Sequence, residues 1–246
     1  MRRFFLESDQ IEENFIRISS REKHHMEQVL RLLPGDRVIF FNGKGREYEC
    51  VLFYKRDREL WAEIQHINEQ SRMPEIKIHL CQSLAKGAKM DYVIQKAAEL
   101  GVCSFRPVLN RRSVVRLDEQ KAEQKRMRWH NIAKEAGKQC GRNTLMQIEP
   151  VCSWEQAISS PGSHSFLVLY ENEKQTGLRM VMEKWRREGI TECYVFVGPE
   201  GGYAREEIDY AVARGGDIAG LGPRVLRTET AGLVAISIIL YEWGEL

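Results

Sequence analysis

From residue 76 to its end the chain alternates short apolar runs with amphipathic stretches of helical period, and no other feature constrains its fold as tightly. IKIHLCQSL, SFRPVL, SFLVLYE, ECYVFVG and DIAGLG read as strands. Between the first two, KMDYVIQKAAELGV sets Met90, Val93, Ile94, Ala97 and Leu100 on one helical face and stops at Gly101. A long basic helix over about 118–139, a helix around 176–188, REEIDYAVARG and a last helix from about 228 fill the other intervals. Such alternation predicts an α/β fold, a parallel sheet with helices on both faces.

The first 70 residues have another rhythm. RVIFFNGKGREYECVLFYKRDRELWAEIQHI holds three strand-like runs, and Asn42-Gly43 with Gly45 signals a hairpin between the first two. A helix over REKHHMEQVLRLL precedes them, with Ser20 as its expected cap and PGD (34–36) as its stop. A helix beside a short meander suggests a small barrel, with Phe4 and Phe5 expected in its core. The polar, proline-containing NEQSRMPE (68–75) is the expected linker, which places domains at 1–72 and 73–246.

Charge is close to balanced overall, at +2, but unevenly distributed. Residues 73–150 carry 15 Lys/Arg against 8 Asp/Glu, and residues 151–246 carry 9 against 14. A basic middle beside an acidic end points to a localised polyanion-binding face, with solvated helix faces as the alternative. Six scattered cysteines without a C-x-x-C pair predict reduced thiols and no metal site. His24 and His25 are sequence neighbours that diverge on a helix. The N-terminus lacks an apolar signal core, and the longest apolar run, 231–240, is half the roughly 20 residues of a membrane span. The expectation is a cytoplasmic protein without a membrane partner.

Parallel sheets bind ligands beyond the carboxyl ends of their strands. Three loops qualify: LYENE (169–173), GPEGG (198–202) and GLGPRVLRTETAG (220–232). None is G-x-G-x-x-G or Gly-Lys-Ser/Thr. Glu200 stands where a dinucleotide fold seats pyrophosphate, and like unit charges roughly 4 Å apart repel by about 4 kcal/mol at an effective dielectric of about 20. With Glu171 and Glu173 nearby, a neutral or cationic ligand is expected instead. S-adenosylmethionine suits the loops, since glycines let backbone close round an adenosine. A plain tight turn at GPEGG is the alternative.

VGPEGGYAREE followed by LGPRVLRTETAG resembles the signature of the SPOUT methyltransferases. Together with MRRFF, VLRLLPGDRV, KGAKMDYVIQKAAELGV, RSVV and EAGKQCGR, in this order along nearly the whole chain, it is similar to the RsmE family of 16S ribosomal RNA uridine-N3 methyltransferases. Tyr203-Ala204 departs from the usual aromatic-serine pair, which puts a local helix cap in question. The resemblance implies a PUA-like, RNA-binding β-barrel over 1–72. It also implies a SPOUT domain over 73–246 whose deep trefoil knot forms the S-adenosylmethionine site. A homodimer acting on 16S RNA in the assembled small subunit is implied as well. By the same resemblance Leu169, Gly198, Pro199, Gly201, Leu221, Gly222, Leu226 and Thr228 surround the cofactor.

Methylating uridine at N3 removes a proton that is present at neutral pH, so a base or a stabilising cation is needed. Glu200 and Glu229 are the candidate bases and Arg227 the candidate cation. Glu229 could instead favour the helix macrodipole, and Glu200 could hold the cofactor's ammonium or brace its loop. Candidate RNA contacts are Arg2, Arg3, Lys86, Lys89, Arg111, Arg112, Arg116, Gln139 and Arg142. Ribose 2′-O methylation and a non-catalytic RNA-binding assembly factor are the alternative functions.

Overall fold

The computed structural model describes residues 1–7, 10–70, 73–115, 117–162 and 164–246, with Asp57 described by its backbone alone. The chain divides into two compact units, Met1–Met73 with Gly137–Leu145, and Pro74–Ala136 with Met146–Leu246. Ser71 and Arg72 of the expected linker lie outside the described residues, as does Arg116.

The first unit contains β1 (Arg2–Phe5), β2 (Ile11–Glu12), β3 (Phe15–Arg17), α1 (Ser20–His24), β4 (Arg37–Phe41), β5 (Glu47–Tyr54) and β6 (Leu60–Asn68). They form a six-stranded sheet in the order β1-β4-β5-β6-β3-β2, with β1 parallel to β4 and every other pair antiparallel. Phe4, Val38, Phe40, Tyr48, Leu52, Ala62 and Ile64 pack its core together with Met26. The cap of α1 is Ser19 and not Ser20: the Glu22 backbone N–H donates to Ser19 Oγ at 3.2 Å. After His24 the helix loosens into a π-helical turn, His25–Val29, and stops well short of Leu33. Arg31 then takes φ +56°, which no helix continues through.

Gly137–Leu145 joins this unit through its backbone, a membership that the strand-helix pattern did not reveal. Gly45 N–H donates to Asn143 O and Leu145 N–H to Gly43 O, each at 3.0 Å. The Asn143 amide donates to Gly45 O at 3.0 Å and to Gln70 O at 2.8 Å. Gly43 combines φ +71° with a site where a Cβ would lie 2.8 Å from Leu145 and 2.9 Å from Phe5, so only glycine fits.

The second unit contains β7 (Lys77–Ser83), α2 (Lys89–Glu99), β8 (Ser104–Leu109), β9 (Gln147–Ile148), β10 (Cys152–Ser153), α4 (Trp154–Ser159), β11 (Ser165–Leu169), α5 (Leu178–Arg187), β12 (Glu192–Val197), α6 (Arg205–Ala213), β13 (Asp217–Ala219) and α7 (Thr228–Glu242). Helix α3 (Glu119–Cys140) begins here and ends in the first unit. The sheet is parallel in the order β10-β8-β7-β12-β11-β13, with β9 beside β8. Adjacent residues serve opposite faces: Val195 and Val197 belong to the core cluster that takes in α2, α3, α5 and α7, and Phe196 belongs to the one that takes in α4 and α6. Pattern reading missed β9, β10 and α4, although Ser153 and Gln156 form a reciprocal capping box that marks α4 in the sequence. The apolar run 231–240 is the body of α7, where Gly232 lets the helix approach Val197 and Leu80. Among the described residues no helix is long and apolar enough to cross a membrane.

Trp129 shows which face of the basic helix packs: it is 1% exposed, whereas Met127 is 62% exposed. Trp129→Ala is expected to lower the unfolding free energy in urea by about 3–5 kcal/mol. Met127→Ala is expected to stay within roughly 0.5 kcal/mol of the parent.

Candidate functional site

The carboxyl ends of β11, β12 and β13 open into three loops that enclose a cavity of about 300 Å³. The volume sits at the lower end for small-molecule sites. Leu169, Val197, Leu221, Leu226 and Ala231 form its apolar wall. Of the eight residues expected round a cofactor, all but Gly201 line it. Gly201 lies instead against Arg112, whose guanidinium donates to Gly201 O at 3.3 Å.

Glycine is required where these loops meet. The Pro199–Gly202 turn closes with Gly202 N–H donating to Pro199 O at 2.9 Å, and Gly202 takes φ +66° with Glu171 where a Cβ would go. A Cβ on Gly198 would lie 3.0 Å from the Tyr203 ring, and one on Gly220 would run into the Glu173 carbonyl. The GPEGG stretch is therefore both a tight turn and a cavity wall.

Two hydrogen bonds lock this loop to the rest of the unit. The buried Gln82 amide donates to Thr228 Oγ1 at 2.8 Å, and the Thr228 hydroxyl donates to Gly198 O at 2.6 Å. Gln82 escaped the sequence reading because its partner lies 146 residues away. Glu207 and Asn110 escaped it likewise. Glu207 is 2% exposed and accepts from Asn110 Nδ2 at 2.9 Å, Arg111 N at 3.1 Å and Ala204 N at 2.8 Å. Ser83 Oγ donates to Asn110 Oδ1 at 2.5 Å. The alanine at 204 has no oxygen to cap α6, so only the Glu207 half of a capping box is formed, and Glu207 also fastens the Asn110–Ser113 turn.

Charges gather at the rim. Lys89 Nζ lies 3.2 Å from Glu200 Oε1 and 3.5 Å from Glu229 Oε2, and Arg227 Nη1 lies 4.0 Å from Glu229 Oε1. Lys89, Glu200 and Arg227 line the cavity, whereas Glu229 stands behind Lys89. Desolvation pushes the Glu200 carboxyl up, but its own backbone N–H and Lys89 outweigh this and hold it below the usual carboxylate range. The hydrogen bond to Glu200 holds Lys89 above the ordinary lysine value. Glu173 turns into its own loop, accepting from Gln175 N at 2.7 Å and Thr176 N at 2.9 Å. Lys174 and Arg224 join the lining, so charge count alone does not exclude an anion. The specific obstacle to a phosphate is the Glu200 carboxylate at the loop tip, which takes the Lys86 backbone N–H at 3.5 Å.

Of the expected RNA contacts, Lys86, Arg111 and Arg112 are exposed on the second unit, and Arg2 and Gln139 are exposed on the first. Arg3 and Arg142 are placed otherwise. Arg3 pairs with buried Glu47 at 2.5 Å and donates to Arg142 O at 3.2 Å, while Arg142, 4% exposed, donates from Nε to Thr144 O at 2.6 Å. These two guanidiniums hold the first unit together and are not presented at its surface.

A slot with an apolar wall, glycine backbone and charges of both signs fits a ligand such as S-adenosylmethionine, with an adenine for the wall and a cationic group for Glu171. The RNA methyltransferase domain model matches residues 72–240, and the RNA methyltransferase PUA domain model matches 18–65. The Ribosomal RNA small subunit methyltransferase E of Bacillus subtilis is 37% identical, covering 98% of this chain and 97% of the relative. The Neisseria gonorrhoeae protein of that name, solved bound to S-adenosyl methionine, superposes with a TM-score of 0.87 at 30% identity, over 99% of this chain and 98% of its own. A Legionella pneumophila protein solved in complex with the same cofactor gives 0.83 at 31% identity, over 97% and 96%. With its sequence and its fold matching along nearly the whole length, this chain belongs to the ribosomal RNA small subunit methyltransferase E (RsmE) family.

Proposed function

We propose that this protein transfers the methyl group of S-adenosylmethionine to N3 of a specific uridine in 16S ribosomal RNA. The observation that carries the proposal is the half-open cavity at the carboxyl ends of β11, β12 and β13, with Lys89 and Glu200 in its lining and Glu229 paired to Lys89. Bound there, the cofactor supplies an electrophilic methyl group. The chain supplies the apolar wall that excludes water, the Glu200 carboxylate that can take a proton, and cations that can face a uracil oxygen. The names of the relatives and the cofactor held by two of them support this assignment.

The same reading has the protein act as a cytoplasmic homodimer on the assembled small subunit, with no metal, and with its cofactor loops threaded as a trefoil knot. The first unit, matched by the PUA domain model, binds RNA with Arg2 and Gln139 among its contacts. On the second unit Lys86, Arg111 and Arg112 contact the RNA backbone. Arg111 and Arg112 owe their place to the Glu207 clamp. Removing it strands the buried Asn110 amide and two backbone N–H groups, each costing about 1–3 kcal/mol when unpaired. Glu207→Ala should therefore destabilise the protein by at least about 3 kcal/mol in urea titrations. It should also weaken subunit binding at temperatures where the variant remains folded.

The central test is methyl transfer from labelled S-adenosylmethionine to small subunits lacking native methylation, with mass-spectrometric identification of the modified nucleoside. 3-Methyluridine at a single site is expected. A ribose-methylated nucleoside would overturn the acceptor atom, and cofactor binding without any product would point to an assembly factor.

A further inference from the structure

Lys89 is the first residue of α2, the positive end of a helix macrodipole, where an ammonium is disfavoured. Its location is explained by two carboxylates from other elements, Glu200 of the β12–α6 loop and Glu229 of the first turn of α7. Among the described residues Glu229 Oε2 accepts no hydrogen bond, and Lys89 faces it at ion-pair distance. Arg227, the other cation beside Glu229, also lines the cavity, but its side chain is 82% exposed, whereas that of Lys89 is 34% exposed. An ammonium flanked by carboxylates is a poor phosphate ligand, because the phosphate would meet both glutamates. It is a good match for an imide, whose edge presents acceptor, N–H donor and acceptor in sequence.

Resting on the N3 reading above, we propose that Lys89 is a catalytic residue that donates a hydrogen bond to a uracil carbonyl oxygen beside N3, while Glu200 accepts the N3 proton. The N3–H bond breaks towards the Glu200 carboxylate. The N3 electron pair forms the new bond to the methyl carbon, the carbon–sulfur pair stays on sulfur, and the proton leaves Glu200 for solvent. Glu229 is a positioning residue that holds Lys89 from behind. The division of labour follows from strength: Glu200, held in its ionised form, is a weak base, so deprotonation depends on a cation that makes the imide more acidic. Among the described residues, the charged groups at ion-pair distance from Lys89 are Glu200 and Glu229, with Arg227 beyond Glu229 and Lys86 in its own loop reaching Glu200 through its backbone N–H.

The test compares the full-length parent, Lys89→Met and Lys89→Arg. Cofactor affinity is read by calorimetry and subunit affinity by filter binding. Single-turnover rates are followed across a pH series on unmethylated small subunits. The rates are repeated on subunits reconstituted with 16S RNA transcribed with 5-fluorouridine, whose halogen acidifies N3–H. For Lys89→Met both affinities should stay within about threefold, while the rate falls on the order of 10²- to 10³-fold, the usual cost of losing a donor to developing charge. That deficit should shrink at least tenfold at high pH and on the fluorinated subunits, and Lys89→Arg should recover part of the rate. Weakened subunit binding with an unchanged saturating rate would overturn the proposal in favour of a phosphate contact. A deficit indifferent to pH and to fluorine would overturn it in favour of a brace for the Glu200 loop. If the parent makes no 3-methyluridine, the N3 reading itself fails, which the parent's product shows independently of any Lys89 variant.

Discussion

The Thr228 hydroxyl is the contact on which the candidate site depends. It accepts from Gln82 at the end of β7 and donates to Gly198 at the end of β12, so three separate elements share one oxygen. A net hydrogen bond is worth about 1 kcal/mol, but a buried partner left unpaired costs up to about 3 kcal/mol; without the hydroxyl the Gly198 carbonyl loses this donor and the Gln82 amide keeps only the Ser83 carbonyl. The start of α7 is thereby fixed against the glycine loop, and with it the direction in which Glu229 and Arg227 leave the helix.

Around that point the chain approaches itself more closely than side chains permit. Gly198, Gly202 and Gly220 each face a group from a neighbouring segment where a Cβ would stand. This close backbone packing leaves a cavity walled by leucine, valine and alanine, with charged residues of both signs also in its lining. Lys89 and Glu200 shift each other through the hydrogen bond between them, as the exposed helix pair Glu123–Arg126 also does and as Glu99 does to Lys96, so what sets the rim pair apart is its place in the cavity lining.

Much of this architecture was legible in the sequence. The alternation after residue 76 announced the parallel sheet, because burial of both sheet faces leaves continuous apolar runs such as YVFV. The three loops were legible because glycine and proline punctuate backbone directly. What stayed hidden were pairings. Gln82, Asn110 and Glu207 look like ordinary polar residues until chain segments 97 or 146 residues apart are brought together. Arg3 and Arg142 misled for the same reason: nothing local announces that an arginine will be enclosed with Glu47 or turned onto the Thr144 carbonyl. Ser19 and Ser20 are equivalent caps by composition, and only the backbone angle at Ser19 decides between them.

The membership of Gly137–Leu145 in the first unit also has a consequence for biosynthesis. Asn143 and Leu145 close the β4–β5 connection, and the Arg142 carbonyl receives Arg3, so the amino-terminal sheet is finished by residues from beyond the middle of the chain. At translation rates of about 5–20 residues per second, the first 73 residues wait on the order of ten seconds for that segment. During that interval Gly43 and Phe5 face solvent where Leu145 will later pack. A chain that will end on the ribosome's own RNA therefore emerges from the ribosome with its first unit open, and closes it only after α3 has been made.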